Sequence, residues 1–584
     1  MTHLKSVAHN MITLFAFALS AGAFATDEPT QPESGFSTNS QTLVTADKFM
    51  ISAANPLAVQ AGYDVLERGG TAMDAAITTQ FVLNLVEPQS SGIGGGAFLI
   101  YYEKNSDTLH TLDGREEAPA SIHSDHFLQK NGEPIPWWDR ITGGQSVGIP
   151  GTMKLLEEGY NMFGKASWRD LVTPAIKLAE NGFPVSPRMS NSIQVASERG
   201  LKKFEVSRNY FFDENGTALA PGHLLKNPQL AETFRAILVD KSKAFYEGEL
   251  AQKIVDAVND SAPGFMTKED LREYRVKKRP AICAPYRGYR ACGMGPPSSG
   301  ALTVGATLGI LNQFTIEGGS FTVDHIKLIS EAQKLAYADR NYYIADSDFE
   351  NVPVSGLLDS HYLQARSALI DKHKPMLSAT AGNPPAPYVT AYSPDKGLDL
   401  PGTTHLSIVD SYGNILSMTS TIESGFGSRI MVGGFLLNNE LTDFSVYPSI
   451  NGKPVANRIE AGKRPRSSMA PTIVFDALGK PFMAVGSPGG SRIINYVTKT
   501  IIGVIDLELD IQSAISTPHF SNRNGTTDLE KGESAASIAT ELNNVGQETQ
   551  IRDLNSGLHA IVIGDDGKLS GGADQRREGL VMGL

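Results

Sequence analysis

Cysteine is nearly absent. The 584 residues contain two, Cys283 and Cys292, too few for a disulfide scaffold or for a thiolate-held metal cluster. Neither an HExxH nor a CxxC spacing occurs, so the compact signatures of a catalytic zinc or a redox dithiol are missing as well. Basic residues are outnumbered, 51 Lys and Arg against 63 Asp and Glu, for a net charge of -12. No dense Lys/Arg run offsets that average, which disfavours attraction to phosphate backbones or anionic membranes and excludes nucleic acid as an expected partner. Long apolar runs are scarce. One lies at the start, where Lys5 precedes the stretch from Met11 to Phe24 and Ala23-Phe24-Ala25 supplies the small-x-small pattern that signal peptidases cut. It is shorter than the roughly 20 apolar residues of a bilayer span, and residues 26–41 after it are polar and rich in Pro, Ser and Thr. The expectation is a periplasmic or secreted protein that loses residues 1–25 as a signal peptide and keeps no membrane anchor.

What is present is ordinary globular material, 41% apolar and 20% charged, enough for one or two large units. A flexible polar linker is expected over 26–45. Asn55-Pro56 then predicts a helix start, with Leu57, Ala61, Val65 and Leu66 as its apolar face and Gly69-Gly70 as its end. An Ala-rich helix over 72–85 leads through Glu87-Pro-Gln-Ser-Ser-Gly-Ile-Gly-Gly-Gly96 into a strand over 97–102. The order is helix, glycines, strand, whereas a dinucleotide loop needs strand, glycines, helix. The middle, 121–381, alternates loops with helical stretches such as 168–180 and 323–345, and 382–402 has the Pro, Gly, Ser and Asp of an exposed loop. From Thr403 the period changes to two. Runs over 404–410 and 415–422 flank Ser411-Tyr412-Gly413-Asn414, a hairpin signal. Further strands are predicted over 434–437, 472–475, 481–485 and 559–563, with helices after Ser491 and around Ile511, so the fold class is a layered α+β sandwich. If Arg287-Gly288 makes a two-residue turn, Cys283 faces Cys292 and a disulfide is possible; otherwise the two are unlinked buried thiols.

Three groups of residues carry possible chemistry. A three-residue loop at Ser411–Gly413 would set Thr403 opposite Thr421, and a two-residue loop would shift the partner by one. A threonine hydroxyl is a weak nucleophile unless a base stands beside it, and one solution is its own α-amine, freed by cutting the preceding bond; the plain alternative is a cross-strand threonine pair of the kind common in sheets. Pro481-Phe-Met-Ala-Val-Gly-Ser-Pro-Gly489-Gly490-Ser491 reads as strand, glycine turn and helix start, fit for an oxyanion, for a nucleotide phosphate, or for a simple turn. Arg115, the acids Glu440 and Asp443, and the pair Ser467-Ser468 are the types that would read a zwitterion, and equally the types of surface ion pairs and caps.

The blocks Glu87-Pro-Gln-Ser-Ser-Gly-Ile-Gly-Gly-Gly96, Leu112-Asp-Gly-Arg-Glu-Glu-Ala-Pro119, Pro296-Pro-Ser-Ser-Gly300, Gly402-Thr-Thr-His405, Leu436-Leu-Asn-Asn-Glu-Leu-Thr-Asp-Phe-Ser445, Arg464-Pro-Arg-Ser-Ser-Met-Ala-Pro471 and Gly486-Ser-Pro-Gly-Gly-Ser-Arg492 resemble the gamma-glutamyltransferase (gamma-glutamyltranspeptidase) family, in its order and over nearly the whole mature chain. The resemblance implies the four-layer αββα sandwich of N-terminal nucleophile hydrolases, with a large, mainly helical subunit (46–402) and a small catalytic one (403–584) sharing one core. It implies self-cleavage between Gly402 and Thr403, with Thr403 as nucleophile, Thr421 supporting it, and Gly489 and Gly490 as the oxyanion hole. Arg115, Ser467 and Ser468 would hold the substrate α-carboxylate, and Glu440 and Asp443 its α-ammonium. The implied donor is glutathione or another gamma-glutamyl compound, with water, amino acids or peptides as acceptors and no metal or organic cofactor.

Two positions depart from the family pattern. Glu423 stands where members often carry Asn, a third acid that either strengthens ammonium binding or repels a neighbour. No aromatic residue lies between Tyr447 and Ser467, where some members have a lid tyrosine, so a more open site is expected. The competing readings are a cephalosporin or glutaryl acylase of the same fold, in which Asp443 would face a tail with no ammonium, and a non-catalytic periplasmic amino-acid or peptide binding protein, which gives no reason for a threonine opening a strand after a long loop.

Overall fold

A computed structural model describes residues 41–584 except 372, 389, 396 and 398–401; the expected signal peptide and most of the linker lie outside the described residues. Two seven-stranded sheets form its centre. One runs Val44–Ala46, Leu569–Ala573, His559–Ile563, Pro481–Gly486, Thr472–Phe475, Tyr289–Gly293, Ile282–Tyr286. The other runs Leu580–Gly583, Met50–Ala53, Thr403–Val409, Ile415–Thr421, Gly96–Glu103, Thr108–Gly114, Lys277–Lys278. Strands from both sides of residue 402 contribute to each sheet, so a cut there would leave two chains sharing one core.

Strands Thr403–Val409 and Ile415–Thr421 are buried at every residue, as strands covered on both faces must be. Leu406 and Ile408 face the helical layer that includes Pro56–Glu67 and Ala72–Val86. Val409 and Ile415 face the other sheet, meeting Phe475, Ala484 and Ile561. The outer face of that sheet is covered by helices Gly300–Leu311, Val323–Tyr343 and Ile493–Ile505. The order is helix, sheet, sheet, helix, the expected four layers. Among the described residues no helix is long and apolar enough to cross a membrane.

The layer between the sheets is apolar at one end and polar toward Thr403. His405 bonds Thr419 Oγ1 (2.8 Å) and Ser407 Oγ (3.0 Å), Ser407 donates to the His559 carbonyl, and the His559 ring meets Ser52 Oγ. Burial holds His405 well below the usual histidine range and pushes His559 down to about 3, so both rings are neutral and serve as hydrogen-bond partners inside the sandwich.

Local expectations held where turns determine geometry. Arg287 and Gly288 have φ of 50° and 86°, a two-residue turn of the primed kind, and it pairs Cys283 with Cys292 in a disulfide. Others need correction. Leu57 is 40% exposed, because helix Pro56–Glu67 docks by its small residues: a Cβ at Gly62 would lie 2.3 Å from Thr79 Oγ1, and Leu57 is about 140° around the helix from it. The strand expected over 434–437 shrinks to Phe435–Leu436. Val44–Ala46 pairs with Leu569–Ala573, so a strand occupies the end of the expected linker. Within the loop expected to be exposed over 382–402, Tyr392, Ser393 and Asp395 are buried, since Asp395 pairs with the buried Arg466 (2.9 Å) and Tyr392 donates to Glu350.

Candidate active site

The site begins with a turn. Asp410 Oδ1 accepts from Tyr412 N and Asn414 N, while Oδ2 accepts from Ala72 N at the start of helix Ala72–Val86. This fixes the three-residue loop Ser411–Gly413, and counting outward sets Thr403 opposite Thr421. Both side chains are buried. The Thr403 hydroxyl donates to Thr421 Oγ1 (3.3 Å), Thr421 donates to the Gly402 carbonyl (3.1 Å), and Glu423 N–H donates back to Thr421 Oγ1 (2.8 Å). Ile422 N–H gives the Gly402 carbonyl a second donor at 3.3 Å. A carbonyl polarised by two donors therefore adjoins a hydroxyl on the following residue, the arrangement that favours attack within the chain. A Cβ at Gly402 would fall 2.3 Å from the Glu423 carbonyl, so no larger residue fits.

The glycine run that fails as a phosphate loop has a packing role here. Gly96 pairs with Thr421, and a Cβ on Gly95 or Gly94 would strike the Thr421 or Leu436 carbonyl at 1.9 and 2.1 Å. Its glycines let the backbones on either side of the Thr421 turn close up.

Arg115 joins three distant segments. It is 1% exposed; its guanidinium pairs with Glu440, with Asp443 (2.5 Å) and with the carbonyls of Pro465 and Arg466 (both 3.1 Å). Three carboxyls converge on this one cation. Glu116 stands 3.7 Å from Arg115, and burial pushes its carboxyl up to about 7 against the pull of Arg115. Glu440 is raised well above the usual carboxylate range by burial, with Arg115 opposing and Glu116 and Glu423 adding their repulsion. Of the two effects open to Glu423, repulsion of a neighbour is thus present. Carboxyls outnumber the cation, and an incoming ammonium would redress that surplus.

Ser467 and Ser468 lie directly after this cluster. Ser467 Oγ accepts from Met469 N (3.1 Å), closing its own turn, and Ser468 Oγ accepts from Arg340 (2.6 Å), whose Nε also donates to Ser299 (2.9 Å). Arg340, Glu116 and Arg577 were not singled out in the sequence. A charged side chain on the inward face of helix Val323–Tyr343 was the legible hint for Arg340; the other two have no local signal.

The second glycine turn follows strand Pro481–Gly486. Gly489 (φ 135°) and Gly490 (φ 59°) adopt conformations that L side chains avoid, and a Cβ at Gly489 would meet the Tyr496 ring at 2.6 Å. The glycines pass into a 3-10 turn, Gly490–Arg492, and helix Ile493–Ile505 follows, after Ser491 as expected. Arg577 links this turn to the hairpin. It donates to the Thr403 carbonyl (2.9 Å) and packs with Pro488 around Gly557, where a Cβ would touch both.

Comparisons with known proteins bear on the whole chain. Residues 58–584 match the family model described as gamma-glutamyltranspeptidase. A glutathione hydrolase proenzyme of Bacillus subtilis is 37% identical over 92% of this chain and 91% of that protein, and one of Escherichia coli is 34% identical over 91% of each. Among solved structures, a cephalosporin acylase from Bacillus halodurans superimposes with a TM-score of 0.81 at 27% identity, covering 94% of this chain and 98% of that one.

Proposed function

The chain belongs to the gamma-glutamyltranspeptidase family, and from that premise we propose that it is an autocatalytically processed gamma-glutamyltransferase and glutathione hydrolase with Thr403 as its nucleophile. The observation that carries this reading is the Gly402 carbonyl, held by Thr421 Oγ1 and Ile422 N–H beside the Thr403 hydroxyl. In maturation, Thr403 Oγ attacks the Gly402 carbonyl carbon, the two donors stabilise the oxyanion, and the C–N bond breaks as the Thr403 nitrogen takes the proton. Water hydrolyses the resulting ester. The products are a chain ending in the Gly402 carboxylate and another beginning with the Thr403 amine, residues 26–402 and 403–584 of the mature protein.

In turnover that α-amine is the base for its own hydroxyl. Thr403 Oγ attacks the γ-carbonyl of the donor, with the Gly489 and Gly490 N–H groups as oxyanion donors, and a gamma-glutamyl ester forms as the amine departs. Water, an amino acid or a peptide then takes the acyl group. The surplus carboxylates at Glu423, Glu440 and Asp443 receive the donor ammonium, while Arg115, Ser467 and Ser468 receive its carboxylate. The disulfide Cys283–Cys292 and the leader-like start of the sequence support a periplasmic or secreted location.

The test is Thr403→Ala. Wild-type protein resolves on a denaturing gel into two fragments, the smaller beginning at Thr403, and hydrolyses gamma-glutamyl anilides; the variant stays whole and inert. A variant still cut at that bond, or wild type active as one unbroken chain, overturns the reading. The likeness to a cephalosporin acylase supports a second reading as a glutaryl acylase, which requires glutaryl anilides to be turned over faster than gamma-glutamyl ones.

A further inference from the structure

The mechanism above makes no use of the block Pro296-Pro-Ser-Ser-Gly300. In the structure that block clamps the backbone of Ser467, Ser468 and Met469. Ser299 N–H and Ser299 Oγ both donate to the Ser467 carbonyl (2.7 and 2.8 Å), and Ser467 N–H donates to the Pro297 carbonyl (2.9 Å). Ser298 Oγ accepts from Gly300 N–H (2.9 Å) and donates to the Met469 carbonyl (2.8 Å). No side chain fits at Gly300, where a Cβ would lie 2.7 Å from that same carbonyl. The serine pair is thus held by its backbone before any substrate arrives.

Arg340 acts on the side chains of the same pair. It is buried on helix Val323–Tyr343. Its Nη2 donates to Ser468 Oγ (2.6 Å), its Nε to Ser299 Oγ (2.9 Å) and its Nη1 to Asn341 Oδ1 (2.9 Å). Guanidinium nitrogens only donate, so Ser468 Oγ is an acceptor toward Arg340 and its single proton is directed away from the cation. Ser299 obeys the same rule, accepting from Arg340 and passing its proton to the Ser467 carbonyl. A hydroxyl that already accepts a charge-assisted bond is a stronger donor to the next acceptor. Arg115, which follows strand Thr108–Gly114, meets the same segment at the Pro465 and Arg466 carbonyls. Residues 465–468 therefore carry contacts from two guanidiniums, and a carboxylate bound by Ser468 Oγ has Arg340 one hydroxyl away. Three residues before Arg340 on the helix, Tyr337 donates to the Ser491 carbonyl, directly after the Gly489-Gly490 turn. One helix face thus sets the spacing between the serine pair and that turn.

We propose that Arg340 is a positioning residue that acts through Ser468, aiming and strengthening that hydroxyl as a donor, so that the site selects gamma-glutamyl donors with a free α-carboxylate over those with an α-carboxamide. A carboxylate only accepts, and it matches a hydroxyl whose proton is turned toward it. A carboxamide presents N–H donors on half of its edge and no charge to meet the guanidinium behind. The proposal rests on the gamma-glutamyltransferase reading, in which Ser467 and Ser468 hold the donor α-carboxylate.

The test compares a gamma-glutamyl anilide with its α-carboxamide counterpart. Wild type is expected to favour the acid in kcat/KM by about 100-fold, the scale of an ionised partner on two hydrogen-bond donors. Arg340→Met is expected to raise KM for the acid by about 10- to 100-fold, the range of one charge-assisted bond, while kcat and both constants for the amide move by less than about 3-fold. A merely structural role would depress both donors alike. Because the effect runs through Ser468, the losses of acid preference in Arg340→Met and in Ser468→Ala are expected not to add in the double variant. Cleavage at Gly402–Thr403 reports folding. Where Arg340→Met does not fold, Arg340→Lys replaces it: one ammonium does not reproduce the fork that reaches both serines, so the preference should fall by about 3-fold or more, and a lysine variant that keeps the full preference then overturns the inference. Folded Arg340→Met with the wild-type preference, equal losses on the two donors, or additive losses in the double variant also overturn it. If wild type is cut at Thr403 yet uses acid and amide equally, the placing of the carboxylate at Ser467 and Ser468 fails; if it turns over neither, the gamma-glutamyl reading fails. Either result takes the inference with it.

Discussion

Replacing Thr421 with valine removes one oxygen and keeps the shape, which isolates what that oxygen does. Three hydrogen bonds go with it: the donation to Gly402 at 3.1 Å, the acceptance from Glu423 N–H at 2.8 Å, and the longer contact from Thr403 at 3.3 Å. Ile422 N–H remains on the Gly402 carbonyl, so the oxyanion of self-cleavage loses one donor of two. Losses of that kind slow a reaction by about 100- to 1,000-fold. The Glu423 N–H, left buried without its acceptor, costs a further ~1–3 kcal/mol of folding stability, a fraction of the ~5–15 kcal/mol typical of a folded protein. The variant should therefore fold and be cut very slowly. The assay is a time course of fragment appearance on denaturing gels, run beside a thermal melt of the uncut protein. Thr421→Ser, which restores the hydroxyl, should recover most of the rate. Cleavage of folded Thr421→Val at the wild-type rate would refute the role given to this hydroxyl.

Gly489→Ala forces a side chain into a backbone at φ 135° and against the Tyr496 ring, so kcat on a gamma-glutamyl anilide should fall by about 100-fold or more. The fragments should still appear, because cleavage draws on Thr421 and Ile422 instead; unchanged turnover counts against the proposed oxyanion hole. Glu116 is an acid whose folded-state pKa is raised to about 7 by burial, so the folded protein binds its proton more tightly than the unfolded chain. Its contribution to stability is present below the unfolded carboxylate range and is lost as pH climbs toward 7. Melting temperatures measured from pH 4.5 to 7.5 should show a downward component in wild type that Glu116→Gln lacks, and parallel curves for the two proteins would contradict the assignment.

Much of the site was readable because turns translate local sequence into register. The three residues between Asp410 and Asn414 put Thr403 opposite Thr421, and Arg287-Gly288 put Cys283 opposite Cys292; the sequence narrowed each register to two choices and the structure has the one a tight turn favours. The family-like blocks pointed to Arg115, Glu440, Asp443, Ser467 and Ser468, and the fold brings the segments carrying them together. Reading went wrong where packing outweighed pattern. Leu57 satisfies an apolar helix face in the sequence, yet the helix turns its glycine side inward. The polar 382–402 segment reads as exposed, yet Asp395 is drawn inside by Arg466.

The chain's own order of residues thus narrowed the hairpin registers, made the disulfide possible and laid down the alternation that builds strands, since each depends on neighbours a few positions apart and on backbone geometry. Only the tertiary structure decided which charges share a space: that Arg115 meets acids more than 320 residues away, that Arg577 caps the Thr403 carbonyl, that Glu116 crowds Glu440, and that Arg340 joins Ser299 to Ser468. Coulomb and desolvation energies depend on distance and burial, and neither can be counted off along a chain.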